Sequence, residues 1–312
     1  MDELKVVDLP GVGPATAEKL ESAGLSTVLS IAVAHPSTLV DVAGMSESVA
    51  RKVIKAARDG LGIGFTDGLV TEENHKKKGF CISTGSKAFD AILDGGIKSG
   101  GITEMYGEWG SGKTQVAHQV AVDVLKQTPD GIVVYLDTEG TFTPLRVRQM
   151  AKAKKLNEDE TLKKIKVAKA FNSDHQIFLA EQVDSLFKRG DKVVLLIVDS
   201  LTAHFRAEYT GRGTLADRQQ KLNKHMRTLS KLADIYDIPV LVTNQVSTNP
   251  GVFYGNPNQA IGGNIVGHNS RERIFLRKGA KGTRVAKLVD SPYLPDAEAT
   301  YIVTEKGLED ID

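Results

Sequence analysis

The chain has 312 residues, 41% of them hydrophobic, enough for one large domain with its own core beside a small one. Its 40 Lys and Arg against 39 Asp and Glu leave a net charge of +1 and a pI near 7.8. That balance excludes a uniformly basic nucleic-acid binder, so any contact with a polyanion has to come from local patches, loops or many copies acting together. The single cysteine, Cys81, excludes an intramolecular disulfide and a cysteine-rich metal cluster, no apolar run approaches the ~18 residues of a membrane span, and the charged start MDELKVVDLPG does not read as a signal peptide. The expected setting is intracellular, cytoplasmic, with no membrane partner.

Residues 1–60 contain a near-repeat offset by 33 residues, LPGVGPATAEKL from Leu9 and VAGMSESVARKV from Val42. Each runs apolar, x, Gly, apolar and then into a helix. In the first copy Gly11 and Gly13 are expected to free the backbone for a tight turn, with Pro14 suited to a first helical turn. Such a turn aims backbone N–H groups outward, as a helix-hairpin-helix does when it grips DNA phosphates without reading sequence. The second copy has Ser46 in place of Gly13, so only the first is a candidate phosphate binder. The alternative is a small helical bundle that mediates protein contacts.

Residues 61–79, rich in glycine and charge, read as a linker. Its one aromatic residue, Phe65, either packs on its own domain or anchors in a neighbouring subunit, where aromatic residues often dominate. From residue 80 onward β-branched apolar runs (GITEMYG, IVVYLD, KVVLLIVD, IPVLVTNQ) alternate with amphipathic helical stretches, which predicts an α/β domain on a mostly parallel twisted sheet. RIFLRKGAKGTRVAKLVDS and ATYIVTEKGLED read as hairpin strands added at an edge.

The run Gly107, Glu108, Trp109, Gly110, Ser111, Gly112, Lys113, Thr114 has full P-loop spacing between a strand and a helix. Its backbone N–H groups would cradle the phosphates of ATP, Lys113 would neutralise the terminal ones, and the Thr114 hydroxyl would hold Mg²⁺. Asp199, ending VVLLIVD, is the expected carboxylate for the hydration shell of that ion. Glu139, near the end of VVYLDTEG beside Asp137, is the candidate base for an attacking water. Gln245, beside Asn244 at another strand end, is placed to sense the terminal phosphate. After it, STNPGVFYGNPNQAIGGN forms a loop of roughly 18 residues, a length that is usually functional or disordered. Phe253 and Tyr254 are candidates to stack on bases, and Arg206, Arg212 and Arg218 around EYTGRG supply a second, basic loop.

These motifs in this order, with VDSLTAHFRAEYTGRGTLADRQQ, QAIGGNIVGH and DSPYLPDAEA, resemble the archaeal RadA recombinases, relatives of bacterial RecA and of the eukaryotic strand-exchange proteins. The likeness spans nearly the whole chain and implies a RecA-like ATPase core over residues 80–312 behind a helix-hairpin-helix domain. It further implies a filament on single-stranded DNA that pairs with homologous duplex DNA and exchanges strands with ATP and Mg²⁺, working at the nucleoid, assisted by mediator proteins. Carried over by motif, Gln115 joins the nucleotide loop, Arg146 and Gln149 hold adenine, and Gln245 with His268 links the terminal phosphate to the second DNA loop. Asp290 and Asp296 cap a neighbour's nucleotide with a monovalent cation such as K⁺, and Phe65 with Gly68 forms the tether between subunits. Two positions depart from the family pattern: Thr143 stands where Arg is usual, and Arg271 where Thr is usual, a change that either weakens the relay from the terminal phosphate to DNA or adds a phosphate contact. A regulatory paralogue that binds DNA and ATP without exchanging strands, and a ring-forming RecA-like ATPase, are the competing expectations.

Overall fold

A computed structural model describes residues 4–65, 67–248 and 258–311, and the chain divides into two compact units, residues 1–77 and 78–312. The first unit is all helical. After a 3-10 turn at Val6–Asp8 come α1 (Pro14–Ser22), α2 (Val28–Ala32), α3 (Pro36–Ala43), α4 (Glu47–Gly60) and α5 (Gly68–Lys78). The hydroxyl of Ser46 caps α4, accepting from the Val49 N–H, and Ala50, Val53, Ile54 and Ala57 recur at helical spacing to bury one stripe. That stripe closes a core with Leu20, Ile31 and Leu39.

Both near-repeats prove to be turns that open onto a helix. Gly11 has φ +90 and Gly44 has φ +69, conformations that favour glycine, whereas Gly13 caps α1 in an extended conformation (φ −86) that any residue adopts. The expectation that Gly13 is needed for the turn is corrected accordingly. The segment read as a linker also differs. Asp67 accepts from the Val70 N–H at 2.9 Å and starts α5, so residues 68–78 are helical rather than irregular. Phe65 is fully exposed just ahead of it.

The second unit begins with a two-stranded ladder of β1 (Cys81–Ile82) and β2 (Ile97–Lys98) around α6 (Lys87–Ile92). Then follow β3 (Gly101–Gly107), α7 (Lys113–Gln127), β4 (Ile132–Asp137), α8 (Pro144–Ala153), α9 (Glu158–Lys164), β5 (Ile165–Lys169), α10 (Ser173–Lys188), β6 (Val193–Asp199), α11 (Ala203–Glu208), α12 (Leu215–Tyr236) and β7 (Pro239–Asn244). The short strands β8 (Val246–Thr248) and β9 (Asn258–Ala260) form a hairpin, α13 (Gly263–Asn269) returns the chain, and β10 (Glu272–Lys278), β11 (Arg284–Asp290), β12 (Ala297–Thr304) and β13 (Gly307–Asp310) finish it.

The nine-stranded sheet has the order β13-β12-β11-β10-β3-β7-β6-β4-β5, parallel from β10 to β5 and antiparallel from β10 to β13. Its parallel strands are buried on both faces, which is why they read as unbroken apolar runs. In β6, Leu195 and Ile197 pack toward α7 with Val116 and Val120, while Leu196 and Val198 pack toward α12 with Met226 and Leu229. The chain leaves β3 toward β4 on one side and leaves β7 toward β10 on the other. The reversal opens a crevice at the carboxyl ends of these strands, where open α/β sheets bind ligands.

Candidate nucleotide-binding site

The turn between β3 and α7 is built for close approach of a ligand to backbone. Gly110 and Gly112 have φ +76 and +104, and a Cβ on Gly107 would lie 2.1 Å from the carbonyl oxygen of Leu276. The buried hydroxyl of Ser111 has no partner among the described residues. The Lys113 ammonium donates to the carbonyls of Gly107 and Glu108, each at 2.9 Å, and burial lowers its pKa against the opposing pull of Asp199 and Glu139. The crevice above this turn encloses about 570 Å³, a volume suited to a nucleotide. Glycine backbone, an orphaned hydroxyl and a lysine at the mouth of α7 fit the phosphates of ATP.

Asp199 ends β6 beneath the crevice, 3% exposed. One of its oxygens accepts from Thr114 Oγ1 at 2.8 Å, from the Tyr135 hydroxyl at 2.7 Å and from Thr141 Oγ1 at 3.4 Å; the other accepts from Thr243 Oγ1. These hydroxyl donors fix the direction of the carboxylate, as a partner for a hydrated Mg²⁺ ion requires. Burial and the neighbouring Asp199 raise the pKa of Tyr135, so the phenol stays a donor.

The β4–α8 turn assigns different work to its two carboxylates. Asp137 accepts from the backbone N–H groups of Glu139, Gly140, Thr141 and Phe142, which makes it the residue that shapes the turn. Glu139 is left facing the crevice, where one of its oxygens accepts from Gln245 Nε2 at 2.7 Å. Behind the turn, His118 stacks on Tyr135 and accepts from the Thr143 N–H at 3.3 Å, and burial lowers its pKa to about 4.

Glu108, Trp109, Gln115, Lys113, Thr114, Glu139, Asp199 and Gln245 therefore meet in one crevice. Arg146 does not line it. Its guanidinium donates to Gln115 Oε1 at 2.6 Å, to Gln149 Oε1 at 3.0 Å and to the carbonyls of Thr304 and Glu305, so Gln149 positions Arg146. His268, in the last turn of α13, the exposed Asp290, which ends β11, and the exposed Asp296, just before β12, are outside it too. Arg206 is exposed on α11 and Arg218 half-buried on α12; the side chain of Arg212, in the 3-10 turn Arg212–Thr214, is outside the described set, as are Phe253 and Tyr254.

Arg271 corrects an expectation. Its N–H donates to the carbonyl of Ile102, its guanidinium pairs with Glu272 at 3.1 Å, and it packs against Gly101 at the start of β3. It lies one strand length, roughly 20 Å, from the P-loop edge, so it is not at the root of the DNA loop. The physical reason is that α13 carries the chain from the carboxyl edge of the sheet back to the amino edge before β10 begins.

Sequence reasoning missed Tyr135, Thr141, Thr243 and Arg284. The first three are ordinary strand and turn residues whose role depends on which strands neighbour β6. Arg284 lines the crevice from the antiparallel side, with Nη1 on the carbonyls of Gly282 and Thr283 and a buried Nε without a partner among the described residues.

A P-loop on the central strand of a largely parallel sheet, an aspartate on the next strand but one and a glutamate across the crevice define a RecA-like P-loop ATPase core. A family model described as Rad51 matches residues 75–311, and one described as a SAM-like helix-hairpin-helix tandem matches residues 3–59. A protein described as DNA repair and recombination protein RadA, from Methanococcus maripaludis, is 48% identical over 319 aligned positions covering 98% of this chain and 99% of that one. The chain belongs to the Rad51 family, with a helix-hairpin-helix domain ahead of the ATPase core.

Proposed function

We propose that this protein is a DNA-dependent ATPase and homologous recombinase that assembles on single-stranded DNA and exchanges strands with a homologous duplex. The observation that carries this reading is the contact between Glu139 and Gln245, because it joins the hydrolytic carboxylate to the residue from which the β8–β9 hairpin springs. ATP supplies the phosphoanhydride bond and, with Mg²⁺, a charge the protein recognises. Lys113 and the P-loop N–H groups bind the phosphates, Thr114 and Asp199 hold the metal's ligand shell, and Glu139 takes a proton from the attacking water. Arg146, whose plane is fixed by its bonds to Gln115, Gln149 and the carbonyls of Thr304 and Glu305, offers a flat face for adenine.

Single-stranded and duplex DNA would be held through phosphates by the Gly11 turn and by Arg206, Arg212 and Arg218, with Phe253 and Tyr254 stacking on bases. Near-neutral charge is compatible with this, since many weakly binding protomers in a row gain by avidity. Phe65 with Gly68 would tether one protomer to the next in a filament or ring, and Asp290 and Asp296 would close over the neighbour's nucleotide with a monovalent cation such as K⁺. His268 would relay the state of the terminal phosphate to the DNA loop. Mediator proteins would assist loading, and the work would take place at the nucleoid.

The test is strand exchange between circular single-stranded DNA and a homologous linear duplex with ATP and Mg²⁺, beside Lys113→Ala. Joint molecules that depend on ATP and homology support the recombinase. DNA-stimulated hydrolysis without joint molecules supports the regulatory paralogue instead.

A further inference from the structure

Beneath the crevice lies a polar chain buried in the sheet that the hydrolytic residues do not include. Glu104, in the middle of β3, has no exposed surface, yet carries a carboxylate. Its Oε2 accepts from Arg273 Nε at 2.7 Å, and the Arg273 guanidinium also lies over the Tyr106 ring, 5.4 Å from its centre. Its Oε1 accepts from Asn244 Nδ2 at 2.7 Å, and the same Nδ2 donates to the carbonyl of Ile261 at 2.7 Å. The other end of that amide, Asn244 Oδ1, accepts from Thr202 Oγ1 at 2.6 Å and from the N–H of Gln245 at 2.9 Å.

Asn244 thus holds both ends of the segment 245–261, one through each end of its amide, and the backbone bond from the Ile261 N–H to the Gln245 carbonyl at 3.1 Å closes the ring. An amide has a donor side and an acceptor side, and only one orientation suits a site. A buried carboxylate accepts and cannot donate, so Glu104 compels Nδ2 to face it and Oδ1 to face Gln245.

We infer that Glu104 is a positioning residue for ATP hydrolysis, acting through the Asn244 amide to fix Gln245 against Glu139 at the root of the hairpin. The inference rests on the proposed ATPase reading. Glu104 is buried and does not line the crevice; its effect passes through the residue at position 244. Thr202, which leads into α11 and the basic loop, reports to the same amide, so the roots of both candidate DNA loops meet there.

The experiment compares Glu104→Gln, Gln245→Ala and their combination. A glutamine presents one acceptor where Asn244 and Arg273 both require one, so the amide of Asn244 loses its enforced orientation. In Glu104→Gln, kcat is expected to fall about tenfold with the KM for ATP within about twofold, and the double variant to be no slower than Gln245→Ala alone. In the nucleotide-free protein, hydrogen exchange at the Gln245 and Ile261 amides is expected to accelerate by about tenfold or more while the melting temperature of the core holds. Additive losses in the double variant, or wild-type exchange at both amides, overturn the inference. If Glu104→Gln does not fold, Thr202→Val, which removes one bond to Asn244 Oδ1 with little change of volume, is read by the same exchange measurement, and unchanged protection at Gln245 again overturns it. A wild-type protein that hydrolyses no ATP refutes the ATPase reading, and the exchange data then still decide whether Glu104 governs the hairpin root.

Discussion

Gln245 Nε2 lies 2.7 Å from Glu139 Oε1, bridging the end of β7 and the turn after β4 across the mouth of the crevice. A carboxylate that accepts from this amide keeps its second oxygen for a water proton. Replacing Glu139 by Gln removes the proposed base and leaves the P-loop sequence intact. The expected result is a fall in kcat of about a hundredfold or more with nucleotide affinity nearly unchanged, measured by steady-state hydrolysis and by binding of a fluorescent ATP analogue. Hydrolysis at the wild-type rate would reassign Glu139 to a turn carboxylate.

Lys113 rests on two carbonyls of its own loop, so it is already aimed over the turn where phosphates would lie. Lys113→Ala is expected to abolish detectable hydrolysis and to weaken nucleotide binding by about a hundredfold, read by equilibrium titration; the ammonium's partly buried position magnifies its attraction for phosphate. Wild-type turnover in this variant would mean that hydrolysis occurs at another site.

Tyr135 lies wholly inside the sheet and spends its hydroxyl on Asp199. Tyr135→Phe keeps the ring stacked on His118 but removes one of the donors that hold the aspartate in place. The expected outcome is a rise of about three- to tenfold in the Mg²⁺ concentration for half-maximal hydrolysis, because a loosened carboxylate orients the ion's water shell less well. An unchanged Mg²⁺ curve would show that Thr114 and Thr243 suffice.

The residues legible in the sequence are those whose role is local. The P-loop is a backbone conformation written into eight consecutive residues, and Asp199 and Glu139 declare themselves at strand ends. Tyr135 and Thr243 are hidden because they reach Asp199 only when β4 and β7 flank β6, an order that no local pattern encodes. Arg284 arrives from the antiparallel hairpins, far along the chain. Helix α5 escaped notice because its apolar residues, Leu69 and Val70, are adjacent at its start and do not recur at the apolar period that marks a helix. Its signal was instead the cap, Asp67, with Glu72 and Glu73 ahead of three lysines, an order that suits the helix dipole. Arg271 misled because only two residues separate it from His268, while the chain between them has turned away from the nucleotide edge.

Two buried histidines make stability depend on pH. Burial lowers the pKa of His118 to about 4 and that of His225 to about 3. In the unfolded chain both protonate near pH 6.5, so between 6.5 and 4 the unfolded state binds more protons than the folded one. Their contribution is complete above pH 6.5 and is lost as the pH falls toward 4. At pH 5 the loss is on the order of 2 kcal/mol for each. Urea unfolding from pH 7.5 to 5.0 measures it, and His225→Gln is expected to flatten the slope by up to one proton. An identical slope would show that His225 titrates normally in the fold.

Phe65 is entirely exposed three residues ahead of α5. A large aromatic side chain left in water forfeits roughly 2 kcal/mol or more of burial, a cost recovered if a second copy of the chain covers it. Phe65→Ala is therefore expected to convert assembled protein to monomer in sizing chromatography, with the melting temperature of each unit unchanged because the side chain supports neither core. Phe65→Leu, which keeps apolar bulk, is expected to retain part of the assembly. An oligomer that survives Phe65→Ala would place the subunit tether elsewhere and leave Phe65 as a surface residue without that role.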